Sequence, residues 1–336
     1  MSIADLPRAA SAASGRRGYT VIEAVIVTVL VALMSLVIER TVTGINQAEQ
    51  TLRAVRNTTE RGQKAAWDLR DIVTSSRKLF GNDVVGNAYI AKLDRTKYPV
   101  LAGSRLPIFD EINPLGPDAV GDPHTGNELL FIRECDALPC VALAASKKMR
   151  IVDAYRMVCI YLTVSNRKLV NFQPNALDLV EWRSKHFPSY GQVIAILPVA
   201  ERTNVVKDLY NRWGIDYLWD PAAPVATAFY GIDGLGNIAG APSAVASIPE
   251  DMNVSRGARF VARNVGVAYT DVNSYPRTPM FSVEPVATWT PNGFECKVAG
   301  ASGARKVWMR LTVEQQAAAG RIPAMQTTVV ANTRDL

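Results

Sequence analysis

Four cysteines, two histidines and a lone acidic residue inside an apolar run are the side chains of this 336-residue chain that could do chemistry. Cys135 and Cys140 flank Asp136-Ala137-Leu138-Pro139, a turn-like spacer that could bring their thiols within bonding distance, which would leave Cys159 to pair with Cys296 or both free. Four cysteines allow three pairings, and spacing does not choose among them. No CxxC pair occurs, so a zinc site is the weaker reading. His124 and His186 have no HExxH, GxSxG or CxxC around them and read as loop or surface residues. Metalloprotease, hydrolase and thioredoxin chemistry have no motif, so the chain is expected to be no enzyme and to need no cofactor or metal.

Three weaker constellations end the same way. Asp110, Glu111, Asp118 and Asp122 crowd one region without the EF-hand spacing, which reads as a solvated acidic loop. Gly234-Leu235-Gly236-Asn237-Ile238-Ala239-Gly240 has one residue too many for a dinucleotide fingerprint and runs into Ala241-Pro242 where a helix should start. Lys147-Lys148-Met149-Arg150 is short and lacks interleaved aromatics, so no nucleic acid is expected as a partner.

Glu23 is the exception. From Tyr19 to Ile38 there is no Lys, Arg or Asp, and Tyr19 and Glu23 are the ionisable groups. Twenty helical residues cover about 30 Å, the thickness of a bilayer's hydrocarbon core. No second such stretch occurs, so a single-pass protein is expected, with a transmembrane segment at 19–38. Arg8, Arg16 and Arg17 precede the run against Asp5, which places the N-terminus in the cytoplasm and the larger part outside it. A carboxylate one turn inside a membrane helix costs a few kcal/mol unless paired, which marks Glu23 as a partner-seeking group.

A small-residue stretch, Ala9 to Gly15, lies before the apolar run, the wrong order for an ordinary secretory signal. The segment Gly15-Arg16-Arg17-Gly18-Tyr19-Thr20-Val21-Ile22-Glu23-Ala24 resembles instead the type IV prepilin, or class III, signal. That resemblance implies cleavage between Gly18 and Tyr19 by prepilin peptidase, N-methylation of Tyr19, and retention of the apolar helix. It also implies that Glu23 meets the α-amine of a neighbouring subunit's first residue and sets its axial register. Removing residues 1–18 takes three Arg and one Asp from 37 basic and 31 acidic residues, leaving 34 and 30, a net charge of +4.

The elements that would carry these residues follow from periodicity. Ile45, Ala48, Leu52, Val55, Thr59, Gly62, Ala66, Leu69 and Val73 recur at gaps of three and four, so one helix is expected from 19 to about 80. The small residues Thr59, Gly62, Ala65 and Ala66 would allow a sheet or another helix to approach closely. Residues 81–126 are rich in Gly, Pro, Asn and Asp and read as a loop region. Residues 127–336 read as a β-rich head, with strands expected at 128–133, 141–144, 149–164, 169–172, 192–197, 258–269, 280–287, 306–313 and 326–331, a hairpin tip at Asn166-Arg167-Lys168, and a helix at 201–213. The fold class is therefore α+β: a long N-terminal helix on an antiparallel sheet with large loop insertions.

That plan resembles the type IV pilin fold, and Ala65–Ile72, Phe260–Val265, Arg305–Val313 and Thr327–Arg334 resemble segments of the PilW/GspJ type of minor pilin. The resemblance implies a non-catalytic minor pilin stored in the inner membrane, with its head in the periplasm, that primes and caps type IV pilus assembly at the pilus base or tip and serves pilus-dependent motility and adhesion. The implied partners are other minor pilins, the major pilin, prepilin peptidase and a PilY-type tip adhesin. A J-like pseudopilin of a type II secretion system uses the same physics, and a signal-anchored periplasmic adhesin or enzyme is the alternative from another class.

Overall fold

The computed structural model describes residues 20–111, 124–143, 145–168, 175–224, 227–239, 248, 258–267, 293–315 and 324–333. The chain divides into two units, Met1–Gln50 and Thr51–Leu336.

The first unit is helical from Val21 onward among its described residues. Helix α1 runs 54 residues, Val21–Thr74, and so continues into the second unit. Every described residue up to Gln50 is exposed, including the apolar run from Thr20 to Ile38. The helix is long and apolar enough to span a membrane.

In the second unit α1 buries Ala54, Thr58, Gly62, Ala65, Ala66, Leu69, Ile72 and Val73. Below residue 62 this stripe is one residue out of phase with the expected one, because small residues, not the branched ones, face the sheet. Leu52 is 69% exposed and Val55 is also exposed. Gly62 marks the closest approach: a Cβ there would lie 3.3 Å from Met325 Sδ and 3.8 Å from Val313 Cγ2. The close neighbour of the small-residue stripe is thus a sheet.

The helix ends at Thr74, short of the expected 80, where the Ser75 hydroxyl donates to the Ile72 carbonyl at 2.7 Å. The chain then becomes strand β1 (Ser76–Phe80), antiparallel to β3 (Leu129–Leu143). The expected loop region holds a short helix, α2 (Val84–Ile90), capped by Asp83 accepting from the Gly86 amide, and the two-residue strand β2 (Phe109–Asp110). Residues 112–123 lie outside the described ones.

Strand β3 pairs with β4 (Lys148–Lys168), which pairs with β5 (Asn175–Arg183), which pairs with β9 (Arg259–Val267). A two-residue strand β6 (Phe187–Pro188) also pairs with β4. This makes a six-stranded sheet of order β1-β3-β4-β5-β9 with β6 beside it. A four-stranded sheet has the order β12-β11-β10-β2, with β10 Phe294–Ala299, β11 Lys306–Glu314 and β12 Ala324–Asn332. Strands β7 (Tyr217–Trp219) and β8 (Phe229–Gly231) form a separate hairpin.

Both faces of the large sheet are buried. Leu129, Phe131, Ile160 and Leu179 meet Leu69 and Val73 of α1 and Met309, Leu311 and Val313 of the small sheet. Leu130, Ile132, Tyr161 and Trp182 meet Phe80, Tyr89, Trp219 and Phe229 on the other side. Farther along, β3 and β4 are backed by α3 (Val199–Trp213) through Val205, Val206 and Leu209. That helix ends as its sequence dictates, on Gly214 in the left-handed region at φ 64°.

Three expectations are corrected. Gln192–Ile196 is a π-helical turn, not a strand; a short apolar run bounded by Pro188 and Pro198 fits either state by periodicity alone. Residues 129–133 and 141–143 belong to one strand, which continues through Pro139 because β1 pairs only as far as Arg133 and leaves that edge free of a proline-intolerant ladder. Asn166-Arg167-Lys168 is no hairpin tip, since β4 runs through Lys168, opposite Asn175. The strands expected at 169–172 and 280–287 lie outside the described residues.

Candidate functional site

The first turn of α1 has amides with no intrahelical acceptor. Thr20 and Glu23 satisfy two of them reciprocally: the Glu23 amide donates to Thr20 Oγ1 at 3.3 Å, and the Thr20 amide donates to Glu23 Oε2 at 2.9 Å. This is a capping box, worth roughly 1 kcal/mol to a helix start. It holds the carboxylate at the head of the apolar run. Gly18 and Tyr19 lie outside the described residues.

Above Glu23, Thr28 and Thr41 donate their hydroxyls to the Ala24 and Val37 carbonyls at 2.8 Å. Their polar groups are satisfied on their own helix, as a hydrocarbon environment requires. Glu23 is then the one charged group between Thr20 and Ile38.

All four cysteines are free thiols. Cys135 and Cys140 sit on one extended strand, β3, so no turn brings them together. Five strand steps span about 16 Å, whereas bonded cysteines keep their Cα atoms within about 7 Å. Burial pushes the Cys135 thiol up to about 11, against the pull of Arg156 and Arg133, and pushes Cys140 up to about 12. Cys159 and Cys296 are raised by complete burial as well. None is a thiolate nucleophile at neutral pH.

Most of the described acidic and basic groups weighed as ion or nucleic-acid sites are engaged by opposite charges elsewhere in the head. Asp110 lies 3.7 Å from the buried Lys297, and Glu111 lies 4.0 Å from Arg305. Asp118 and Asp122 are outside the described residues. Lys148 and Arg150 both close on the carboxylate of Glu201, at 2.6 and 2.7 Å, so two of the three cations of the short basic run are held within the head. The Gly234–Gly236 segment is a tight turn in which Asp233 accepts from the Leu235 and Asn237 amides, with Gly236 at φ 88°.

His186 departs from expectation. Its side chain is 10% exposed, and Nε2 lies 3.3 Å from Asp136 Oδ2. Cys135, Asp136 and His186 bring donor atoms within 4.8 Å of one another. Sequence reasoning missed this convergence because the two segments are fifty residues apart and no motif links them. Beside it, Thr74–Arg77 and Glu134–Ala137 line a cavity of about 450 Å³. A second groove, of about 270 Å³, runs between Gln63, Ala66, Trp67 and Arg70 of α1 and Thr327–Val330 of β12. Comparison with protein families, curated proteins and solved structures finds no match to this chain.

Proposed function

We propose that the chain is a minor subunit of a type IV pilus-like filament, of the PilW/GspJ type, held in the inner membrane by α1 until assembly. The observation that carries this reading is α1 itself. Its apolar run is exposed all round, its single charged residue sits in the first turn, and the same helix continues for twenty residues as the packed backbone of a β-rich head.

A solitary membrane anchor has no need of Glu23, which costs a few kcal/mol in lipid. An anchor that must also find a neighbour has a use for it. Cleavage after Gly18 would expose the Tyr19 α-amine, and the Glu23 carboxylate of the adjacent subunit would receive it. The bond to the Thr20 amide does not prevent this, because a carboxylate accepts about four hydrogen bonds. The head would stand in the periplasm and contact other minor pilins, the major pilin and a tip adhesin.

Mass spectrometry of the N-terminus tests the reading. A mature chain starting at methylated Tyr19 is expected, and an intact Met1 would overturn it. Glu23→Ala is expected to be processed normally yet to co-purify poorly with other pilus subunits. A pair worth only about 1.4 kcal/mol lowers incorporation tenfold. Unchanged co-purification would remove Glu23 from the mechanism.

A further inference from the structure

We propose that Cys135, Asp136 and His186 bind one divalent transition-metal ion, zinc by preference, with a fourth coordination position open to the adjoining cavity.

The donors converge through a defect in the sheet. Adjacent residues of a strand normally point to opposite faces. Between β3 and β4 the register jumps: Glu134 faces Tyr155, Asp136 faces Ala154, and Cys135 is the extra residue. A β-bulge of this two-against-one kind re-aims side chains, and here the atoms of Cys135 and Asp136 come together. His186 arrives from the opposite side, because it immediately precedes β6, whose Phe187 and Pro188 pair with Tyr155 and Ala154. Both neighbours of β4 thus meet it at Ala154, and donors from either side reach each other across one strand.

The geometry suits a small tetrahedral ion. Two ligands at about 2.0 Å from zinc, at the tetrahedral angle, lie about 3.3 Å apart. Asp136 Oδ2 and His186 Nε2 are separated by 3.3 Å. The sulfur lies within 4.8 Å of both, so a movement of at most about 1.3 Å brings it to the roughly 3.5 Å that a zinc–sulfur bond sets. One sulfur, one imidazole nitrogen and one carboxylate oxygen favour zinc or a neighbouring transition ion over calcium or magnesium.

The charges around the group are those of Arg156 and Arg133, which face the thiol, and of Glu134, which is paired with Arg77. A thiolate and a carboxylate together neutralise a dication, so the loaded site carries no net charge beside the two guanidiniums. Because Cys135 keeps its proton at neutral pH, the ion must displace it: one S–H bond is lost, one metal–sulfur bond forms, and one proton goes to buffer. Three protein donors leave one tetrahedral position, and Cys135 and Asp136 also line the cavity, where water completes the shell.

The test uses the full chain in detergent, stripped with chelator and titrated with cobalt(II), then zinc. One ion per chain is expected, with a thiolate-to-cobalt charge-transfer band that zinc abolishes and one proton released per ion. Cys135→Ser should lose the band. Asp136→Asn and His186→Gln should weaken zinc binding by at least about 100-fold, more than the loss of an outer-shell partner costs. Cys140→Ser, on the same strand but outside the group, should change neither. Each variant is compared with the parent by circular dichroism and melting without metal. Should Cys135→Ser fail to fold, the zinc affinities of Asp136→Asn and His186→Gln decide the assignment. No thiolate band in the parent, a band that survives Cys135→Ser, or parental zinc affinity in His186→Gln would overturn it.

Discussion

Burial pushes the Glu314 carboxyl, 5% exposed at the end of β11, up to about 7. The unfolded chain holds a glutamate near 4.3. Between these values the folded state binds the proton more tightly, so stability is full below the lower value and falls as pH rises through the upper one. The loss amounts to about 4 kcal/mol by the alkaline side of neutrality, at about 1.4 kcal/mol per unit. Glu314→Gln should flatten this dependence, which urea titrations at about pH 5 and about pH 8 would measure; a variant that keeps the parent's full decline would assign it to another group. Residue-scale facts of this kind were the least legible in the sequence. Cys135 and His186 looked unrelated because a bulge cannot be read from residue types. Strands β5 and β10 escaped notice because buried charges interrupt their apolar pattern: Glu181 is held between Arg183 and Arg259 at 2.7 and 2.6 Å, and Lys297 beside Asp110.

Elements were legible where one periodicity dominates. Helices α1 and α3 and strands β4, β9, β11 and β12 fall close to where their patterns place them, because each carries an apolar periodicity that runs most of its length. The phase of the α1 stripe was not legible, because contact distance decided it: Gly62 and Ala65 let the helix lie close to β11 and β12, and the branched residues Leu52 and Val55 are exposed. Gly62→Ala is therefore a balance. Alanine gains about 1 kcal/mol of helix propensity, and the one tight contact its Cβ makes is with the flexible Met325 thioether, Val313 lying at an ordinary 3.8 Å. It should be neutral or stabilising by up to about 1 kcal/mol in urea unfolding. Gly62→Leu should cost about 1–3 kcal/mol through overpacking against Met325 and Val313. Equal midpoints for the two variants would show that the helix does not approach the sheet as described. At the head of the same helix, Thr20→Ala removes the hydroxyl that accepts from the Glu23 amide and should cost the first turn about 1 kcal/mol, read as faster amide exchange there.

On the scale of the molecule, the described residues before Thr51 are all exposed, and the buried face of α1 begins at Ala54. The three hydrophobic clusters draw their α1 members from Ala65 onward and otherwise use strands and helices of the second unit. Nothing in those clusters depends on the apolar run, whose length and composition suit a membrane or a neighbouring helix. A chain begun at Thr51 should therefore be soluble without detergent, keep the parent's β-sheet circular dichroism and unfold in one cooperative transition. With about 285 residues, a core of this size should hold the melting temperature within about 4 °C of the full chain's in detergent, the shift that about 1 kcal/mol produces. The two α1 turns that lose their N-terminal neighbours account for that allowance, because a new helix end frays. A truncated chain that aggregates, or that loses its near-ultraviolet signal while keeping secondary structure, would mean that the head's core needs the apolar half of α1.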